Sequence, residues 1–400
     1  MNTIKLSENL DNCCGCGACA YACPRNAISM VENALGVIYP QIDEQLCVHC
    51  GKCLQVCSYQ SKPTKNVPIN AFAAAGKDQE LISQSASGGI FASLSRAFLQ
   101  DGGLVAGAVM DFRDNRAEVY HILTDNLRDI ERLQGSKYVQ SNAFKCFSDI
   151  QEALKTGKMV LFSGTPCQVA ALKQLTGNPE NLFTMDLVCH GVPTRKMLND
   201  YLKCAASRFG GTLEALCFRD KLAGKDFTAR FEMRRGNKKR NYYLRSGQSS
   251  FYSMFLKGSI YRESCYHCPY ADSARVSDVT IGDYWGIMDY HAREIESGSM
   301  SKQKHWSCVL VNTQKGQRFL QQYEQSLDLF VTKLEWVCAR NVQLREPSKK
   351  TQDTERILNT YENCGYSKIE KQFLRDAGGI LRYYWHIWKF QRKIRQSKGH

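Results

Sequence analysis

A chain of 400 residues has room for two or three domains of ~150 residues each, and its 43% apolar and 23% charged residues exclude disorder as the main state. Lysine and arginine number 53 against 39 acids, a formal net charge of +14. With 19 cysteines in so long a chain, no apolar signal core in MNTIKLSENLDN and no apolar run near the ~18–20 residues of a membrane span, the expectation is a cytoplasmic protein whose thiols bind metal rather than pair as disulfides.

Nine of the cysteines lie in the first 57 residues. Setting Cys14 aside, Cys13, Cys16, Cys19 and Cys23 follow C-x2-C-x2-C-x3-C-P, and Cys47, Cys50, Cys53 and Cys57 repeat the spacing with Ser58 in place of the proline. Three thiolates at this spacing turn inward on one loop to three corners of a 4Fe–4S cubane, and the fourth reaches the other cluster. The ligand sets are therefore Cys13, Cys16, Cys19 and Cys57 for one cluster, and Cys47, Cys50, Cys53 and Cys23 for the other. Zinc would want two separated C-x2-C pairs instead. Gly15, Gly17 and Gly51 free backbone N–H groups for the cluster sulfurs, and Cys14 has no place in the pattern. Ala27–Met30 and Gly36–Pro40 read as hairpin strands. The segments CCGCGACAYACPRNAI and CVHCGKCLQVC closely resemble a bacterial dicluster ferredoxin.

Residues 58–70, SYQSKPTKNVPIN, are polar with two prolines and mark a linker. Beyond it Phe72–Ala75, Leu104–Met110 and Met159–Phe162 are apolar strands. A helix follows Ser85-Ala86-Ser87-Gly88-Gly89 with Ile90, Phe91, Leu94, Ala97 and Phe98 on one face, and another starts near Gln168 after Ser163-Gly164-Thr165-Pro166-Cys167. A strand, a small-residue turn and a helix present backbone N–H groups to a phosphate, although the same glycines also serve plain turns. The G-x-G-x-x-G fingerprint is absent, which disfavours an ordinary NAD-binding domain. Cys167, Cys189 and the Cys265/Cys268 pair could hold a third cluster from three loops, or the first two could be small core residues.

SASGGIFASLSRAFL, GSKYVQS, LFSGTPCQVAALK, DLVCHGVP and CYHCPYADSARVSDVTIGDYWG, in this order, resemble the beta subunits of coenzyme F420-reducing hydrogenase and formate dehydrogenase across residues ~71–340. The resemblance implies an α+β protein: a two-cluster ferredoxin-like module followed by a mixed α/β flavin-binding core. It implies a third 4Fe–4S cluster on Cys167, Cys189, Cys265 and Cys268 beside FAD, with flavin contacts from Ser87, Gly88, Gly89, Lys137, Tyr138, Gly164 and Thr165. Lys137 has the competing reading of a solvated surface lysine. The expected divisions are 1–62 for the ferredoxin module, 63–70 for the linker, 71–345 for the core (71–150 and 155–345) and 346–400 for a basic, aromatic helical tail.

Cubanes move single electrons, whereas nicotinamides and deazaflavins take two, and a flavin converts between them. The expected function is an iron–sulfur flavoprotein oxidoreductase between a ferredoxin-type donor and a two-electron acceptor, either coenzyme F420 or another small substrate of a biosynthetic pathway. The alternative is a non-catalytic subunit wiring a partner oxidoreductase to ferredoxin; a third reading keeps the clusters structural. No catalytic residue is assigned, and no triad or carboxylate pair points to hydrolysis. Arg234, Arg235, Lys238, Lys239, Arg240 and Arg245 form a basic hairpin with Tyr242 and Tyr243. The tail interleaves Tyr383, Tyr384, Trp385, Trp388 and Phe390 with Arg382, Lys389, Arg392, Lys393 and Arg395. Such a helix either packs its rings on the body or docks, on an acidic partner or peripherally on the inner face of a membrane. No nucleic-acid module is present, so nucleic acid is not expected as a partner.

Overall fold

The computed structural model describes residues 6, 12–221 and 227–397, so the first residues of the ferredoxin module and the last three of the tail lie outside the described residues. Each cysteine run closes on a single helical turn, Ala18–Tyr21 and Lys52–Gln55, entered through a left-handed glycine, Gly17 at φ 79° and Gly51 at φ 73°. Gly17 has a second reason to be glycine, because a Cβ there would sit 2.8 Å from the Phe144 ring of the core. Between the runs, β1 (Ile28–Glu32) and β2 (Ile38–Ile42) pair antiparallel with Ile28 opposite Ile42. The Asn33 side chain ties the turn by accepting from the N–H groups of Leu35 and Val37 at 3.1 and 2.9 Å.

Eleven further strands follow: β3 (Asn70–Gly76), β4 (Leu104–Arg113), β5 (Arg116–Thr124), β6 (Val160–Gly164), β7 (Leu182–Leu187), β8 (Thr212–Cys217), β9 (Thr228–Arg235), β10 (Lys238–Arg245), β11 (Val279–Asp283), β12 (Ser307–Val311) and β13 (Leu327–Val331). Eight of them form one mixed sheet in the order β13-β3-β12-β11-β7-β6-β4-β5. The centre (β4, β6, β7, β11) is parallel, and β5 at one side and β12, β3 and β13 at the other are antiparallel. Every residue of β6 and β12 is buried, which explains the reading of Met159–Phe162 as an unbroken apolar run. Alternate residues serve opposite faces. Val105, Leu161 and Met185 meet Leu94, Phe98 and Phe319 of helices Ile90–Gln100 and Gln314–Tyr323. Leu104, Val160 and Phe162 meet Phe147, Ile150 and Val169 of helices Phe147–Lys155 and Pro166–Thr176. The predicted strands and both predicted helices are present, and the α+β, mixed α/β reading holds.

Gly88, in the turn before helix Ile90–Gln100, is wedged against the sheet. A Cβ there would come within 2.8 Å of Ala74 O and 2.9 Å of Ser307 Oγ, and the Gly88 N–H donates to Ser307 Oγ at 3.0 Å. Gly88→Ala should lower stability by roughly 1–3 kcal/mol through overpacking, visible as a lower urea midpoint at unchanged slope. An unchanged midpoint would show that the turn yields.

A second layer is built on the sheet β10-β9-β8, helices Arg195–Phe209 and Ser250–Lys257, and the tail helices Thr354–Cys364, Tyr366–Asp376 and Ile380–Ser397, around Tyr201, Leu202, Phe218, Phe231, Leu244 and Phe251. The basic stretch is the β9–β10 hairpin turning at Gly236. Arg234 and Lys239 pair with Glu214, and Lys239 also with Glu232 at 2.8 Å, so much of that charge is answered locally. The predicted linker is tied down as well: Lys65 Nζ meets Asp272 at 2.9 Å, and Asn66 bridges to Arg275.

Candidate functional site

The structure gathers the module's thiols into two groups. Cys13, Cys16, Cys19 and Cys57 line one small cavity, with Cys14 at its edge, and Cys23, Cys47, Cys50 and Cys53 line another. The fourth cysteine of each run thus crosses to the other run, as the spacing requires. Backbone N–H groups already point at sulfur, Gly15 to Cys13 and Ala27 to Cys23, each at 3.3 Å. Among the described residues no three of His, Cys, Asp and Glu converge as they would on a single ion. Two groups of four thiols with crossed fourth members are the pattern of paired cubanes, whereas zinc would want two separated C-x2-C pairs. Burial pushes the Cys19 thiol to about 12, with Cys13, Cys57 and Cys53 adding to the rise.

The third group lies in the core. Cys167 opens helix Pro166–Thr176 after β6, Cys189 follows β7, Cys265 sits on helix Glu263–Tyr266, and Cys268 lies just beyond it. All four line one cavity of about 380 Å³, within the usual ~300–1,000 Å³ of small-molecule sites. Burial and neighbouring thiols raise Cys265 to about 12 and Cys268 to about 11, and Cys189 rises for the same reasons. Four soft thiols lining one cavity are a donor set that suits iron, and a bound cation would deprotonate them. Cys167 shares hydrogen bonds with Thr165 Oγ1, at 3.2 Å, and with the side chain of Cys14, which also contacts Cys16. Cys14, left without a place by the spacing, stands where the first thiol group meets the third.

The same cavity is lined by Ser87, Gly89, Lys137, Tyr138, Gly164 and Thr165. Gly88 is not among its walls, because it backs onto β3. Lys137 is no solvated lysine: its ammonium donates to the carbonyls of Arg132, Leu133 and Gln134 at 2.9, 2.8 and 2.6 Å, and burial pushes its pKa down to about 7 against the opposing pull of the nearby Cys217. Tyr138 stacks on Phe255 with ring centroids 4.3 Å apart.

Three polar atoms on this wall have no protein partner: His121 Nδ1, Gln134 Oε1 and Arg262 Nε, all on buried residues. His121 Nε2 donates to Ser163 O at 3.1 Å, and burial lowers the ring to about 4, leaving Nδ1 a neutral acceptor. Orphaned buried polar atoms are rare in folded proteins, and three of them belong to residues that border this one cavity. Sequence reasoning passed over His121 and Gln134, since no local spacing marks a lone strand histidine or a loop glutamine.

Two arginines fix the thiol groups to one another. Arg262 donates to Cys13 O and Ile38 O at 3.0 Å each and to Gln140, which in turn donates to Cys14 O at 3.1 Å. Arg275 holds Asp186 at 3.0 Å and donates to Tyr270 O, Asp272 O and Leu187 O. Tyr21 OH donates to Gln151, and Tyr270 OH to Ser58 O, each at 2.7 Å, so the module is bonded to the core at several points.

Fold and thiol groups together define an iron–sulfur electron-transfer protein, a dicluster module seated on a mixed α/β core. Residues 12–61 match the 4Fe–4S dicluster domain, and residues 157–335 match the C terminus of the coenzyme F420 hydrogenase/dehydrogenase beta subunit. The resemblance read from the sequence motifs therefore holds. The chain is 21% identical over 346 residues to a subunit of F(420)H(2) dehydrogenase from Methanosarcina mazei, covering 81% of this chain and 86% of that protein. It is 24% identical over 380 residues to an uncharacterized protein of Methanocaldococcus jannaschii, covering 82% and 95%. A chain of the F420-reducing [NiFe] hydrogenase complex from Methanosarcina barkeri is similar over 77% of this chain and 94% of its own, with 16% identity and a TM-score of 0.43. Among the described residues no helix is long and apolar enough to cross a membrane.

Proposed function

We propose that this chain is an iron–sulfur flavoprotein oxidoreductase that passes electrons between a ferredoxin-type partner, or a partner oxidoreductase, and a small two-electron acceptor such as coenzyme F420. The observation that carries the reading is the shared cavity, where four core thiols and the SASGG, GSKY and SGTP segments form one wall. In this reading Cys13, Cys16, Cys19 and Cys57 hold one cluster, Cys23, Cys47, Cys50 and Cys53 a second, and Cys167, Cys189, Cys265 and Cys268, in that cavity, a third. FAD, held by Ser87, Gly89, Lys137, Tyr138, Gly164 and Thr165, supplies the exchange between single electrons and pairs.

The arrangement of the thiol groups supports a direction through the protein. The second group is outermost, with Cys50 exposed beside Leu46 and Val48, an apolar landing point for a protein partner. Cys53 neighbours Cys19 of the first group, and Cys13 of the first group neighbours Cys167 of the third. Arg262 and Gln140 hold the first and third groups in register. The reading places the protein in the cytoplasm, where thiols stay reduced and open to iron.

The test is anaerobic purification followed by flavin release and turnover with a reduced ferredoxin. About one FAD per chain, with reduction of a deazaflavin or another two-electron acceptor, is the expected result. Iron without flavin and without turnover would overturn the enzyme reading in favour of a wiring role.

A further inference from the structure

The sequence leaves the tail open between a helix packed on the body and one that meets a membrane or an acidic partner, and helix Ile380–Ser397 does the first with one face only. Tyr383, Ile387, Gln391 and Ile394 are buried, a stripe of helical period. That stripe is anchored: Tyr383 OH donates to Gln248 O, the Gln391 side chain accepts from Tyr243 N–H at 3.1 Å and donates to Tyr243 O, and Arg208 lies over the Tyr383 ring. The opposite face is left to solvent with large apolar groups on it. Leu381 is 83% exposed, Trp388 57% and Trp385 52%.

That outer face is also basic. The helix carries Arg382, Lys389, Arg392, Lys393 and Arg395 and no acid. Lys389 lies over the Trp385 ring at 5.1 Å and Arg392 over Trp388 at 5.6 Å, so cations and rings share one surface. At about 27 Å long the helix could lie in the plane of an interface.

We propose that the outer face of helix Ile380–Ser397 docks on an anionic lipid surface, the indole rings entering the headgroup boundary while the lysines and arginines meet lipid phosphates. Charge alone would suit an acidic protein equally. The lipid is favoured because the centre of the patch is Leu381, Trp385 and Trp388: amphipathic indole rings suit the border between water and acyl chain, and the surrounding cations are drawn to anionic headgroups. The +14 charge of the whole chain works in the same direction. The proposal stands apart from the redox reading, and its failure would leave that reading untouched.

The experiment is co-sedimentation of the full chain with phosphatidylcholine vesicles, with and without phosphatidylglycerol. Binding to the anionic vesicles alone, released by high salt, is expected. Trp385→Ser with Trp388→Ser, and separately Lys389→Glu with Arg392→Glu, should each weaken it by about tenfold or more. Neither pair touches the buried stripe, so an unchanged melting temperature is expected and separates lost docking from lost folding. Wild-type protein left in the supernatant, equal binding to neutral vesicles, or undiminished binding by both double variants would overturn the proposal. Retention on an acidic protein column without vesicle binding would replace it with a protein partner.

Discussion

Replacing Cys265 and Cys268 together by alanine should lower the iron content of the anaerobically purified chain from about twelve to about eight per molecule. The eight thiols of the module come from residues 13–57 and stay in place, so the loss should be one cluster and not a general collapse. The double variant is preferable to Cys167→Ala for a structural reason. Cys14 is hydrogen-bonded to Cys167 and lines the same cavity, so it is a spare thiol at that corner, able to mask a single substitution there. The thiols that act on the C-x2-C pair are Cys167 and Cys189, both members of the same group of four. Iron and sulfide analysis reads the outcome, and low-temperature electron paramagnetic resonance of the reduced protein should retain the signals of two clusters. An unchanged iron count would remove the third cluster from the reading and leave the core thiols as packing.

The contrast between these thiol groups explains what the sequence could tell. In the module, three ligands of each cluster lie within seven residues, so spacing alone carries the chemistry, and even the crossing of Cys23 and Cys57 follows from it. The core thiols come from three loops that only the sheet brings together: Cys167 follows β6, Cys189 follows the adjacent β7, and Cys265 precedes β11, which pairs with β7. The strand at β6 was legible because it is buried on both faces and so reads as an apolar run, whereas β12 was not picked out, and the place of β3 between β12 and β13 was hidden because its partners lie over 200 residues away. The same limit hid His121, Gln134 and the two arginines. Their roles depend on contacts such as Arg262 to Cys13 O, which span most of the chain. Gly88 shows the reverse case, a correct turn whose glycine serves the sheet and not the cavity. The packing of the tail was hidden in the same way, because its partners Tyr243 and Gln248 lie over 130 residues before it.

Arg275→Ala should cost about 3–5 kcal/mol of stability, the usual penalty for leaving one partner of a buried ion pair alone. The Arg275 and Asp186 side chains are 1% and 0% exposed, and their groups meet at 3.0 Å. Burial raises the Asp186 carboxyl, opposed first by Arg275 and then by the Thr280 hydroxyl at 2.6 Å. Without the guanidinium, Asp186 is either an uncompensated buried charge or must take up a proton, and the carbonyls of Tyr270, Asp272 and Leu187 lose their donors as well. The pair also joins the loop after Cys268 to the end of β7, two residues before Cys189. Its removal should therefore loosen the third thiol group while the module's two groups stay intact. Urea unfolding of the apoprotein gives the first effect, and the iron count of the folded variant the second. Asp186→Leu with Arg275→Met should recover most of the stability, because apolar groups of similar volume often replace a buried pair at little cost. If Arg275→Ala shifted stability by less than about 1 kcal/mol, water would be reaching the pair, and the clamp between Cys189 and Cys268 would have to lie elsewhere.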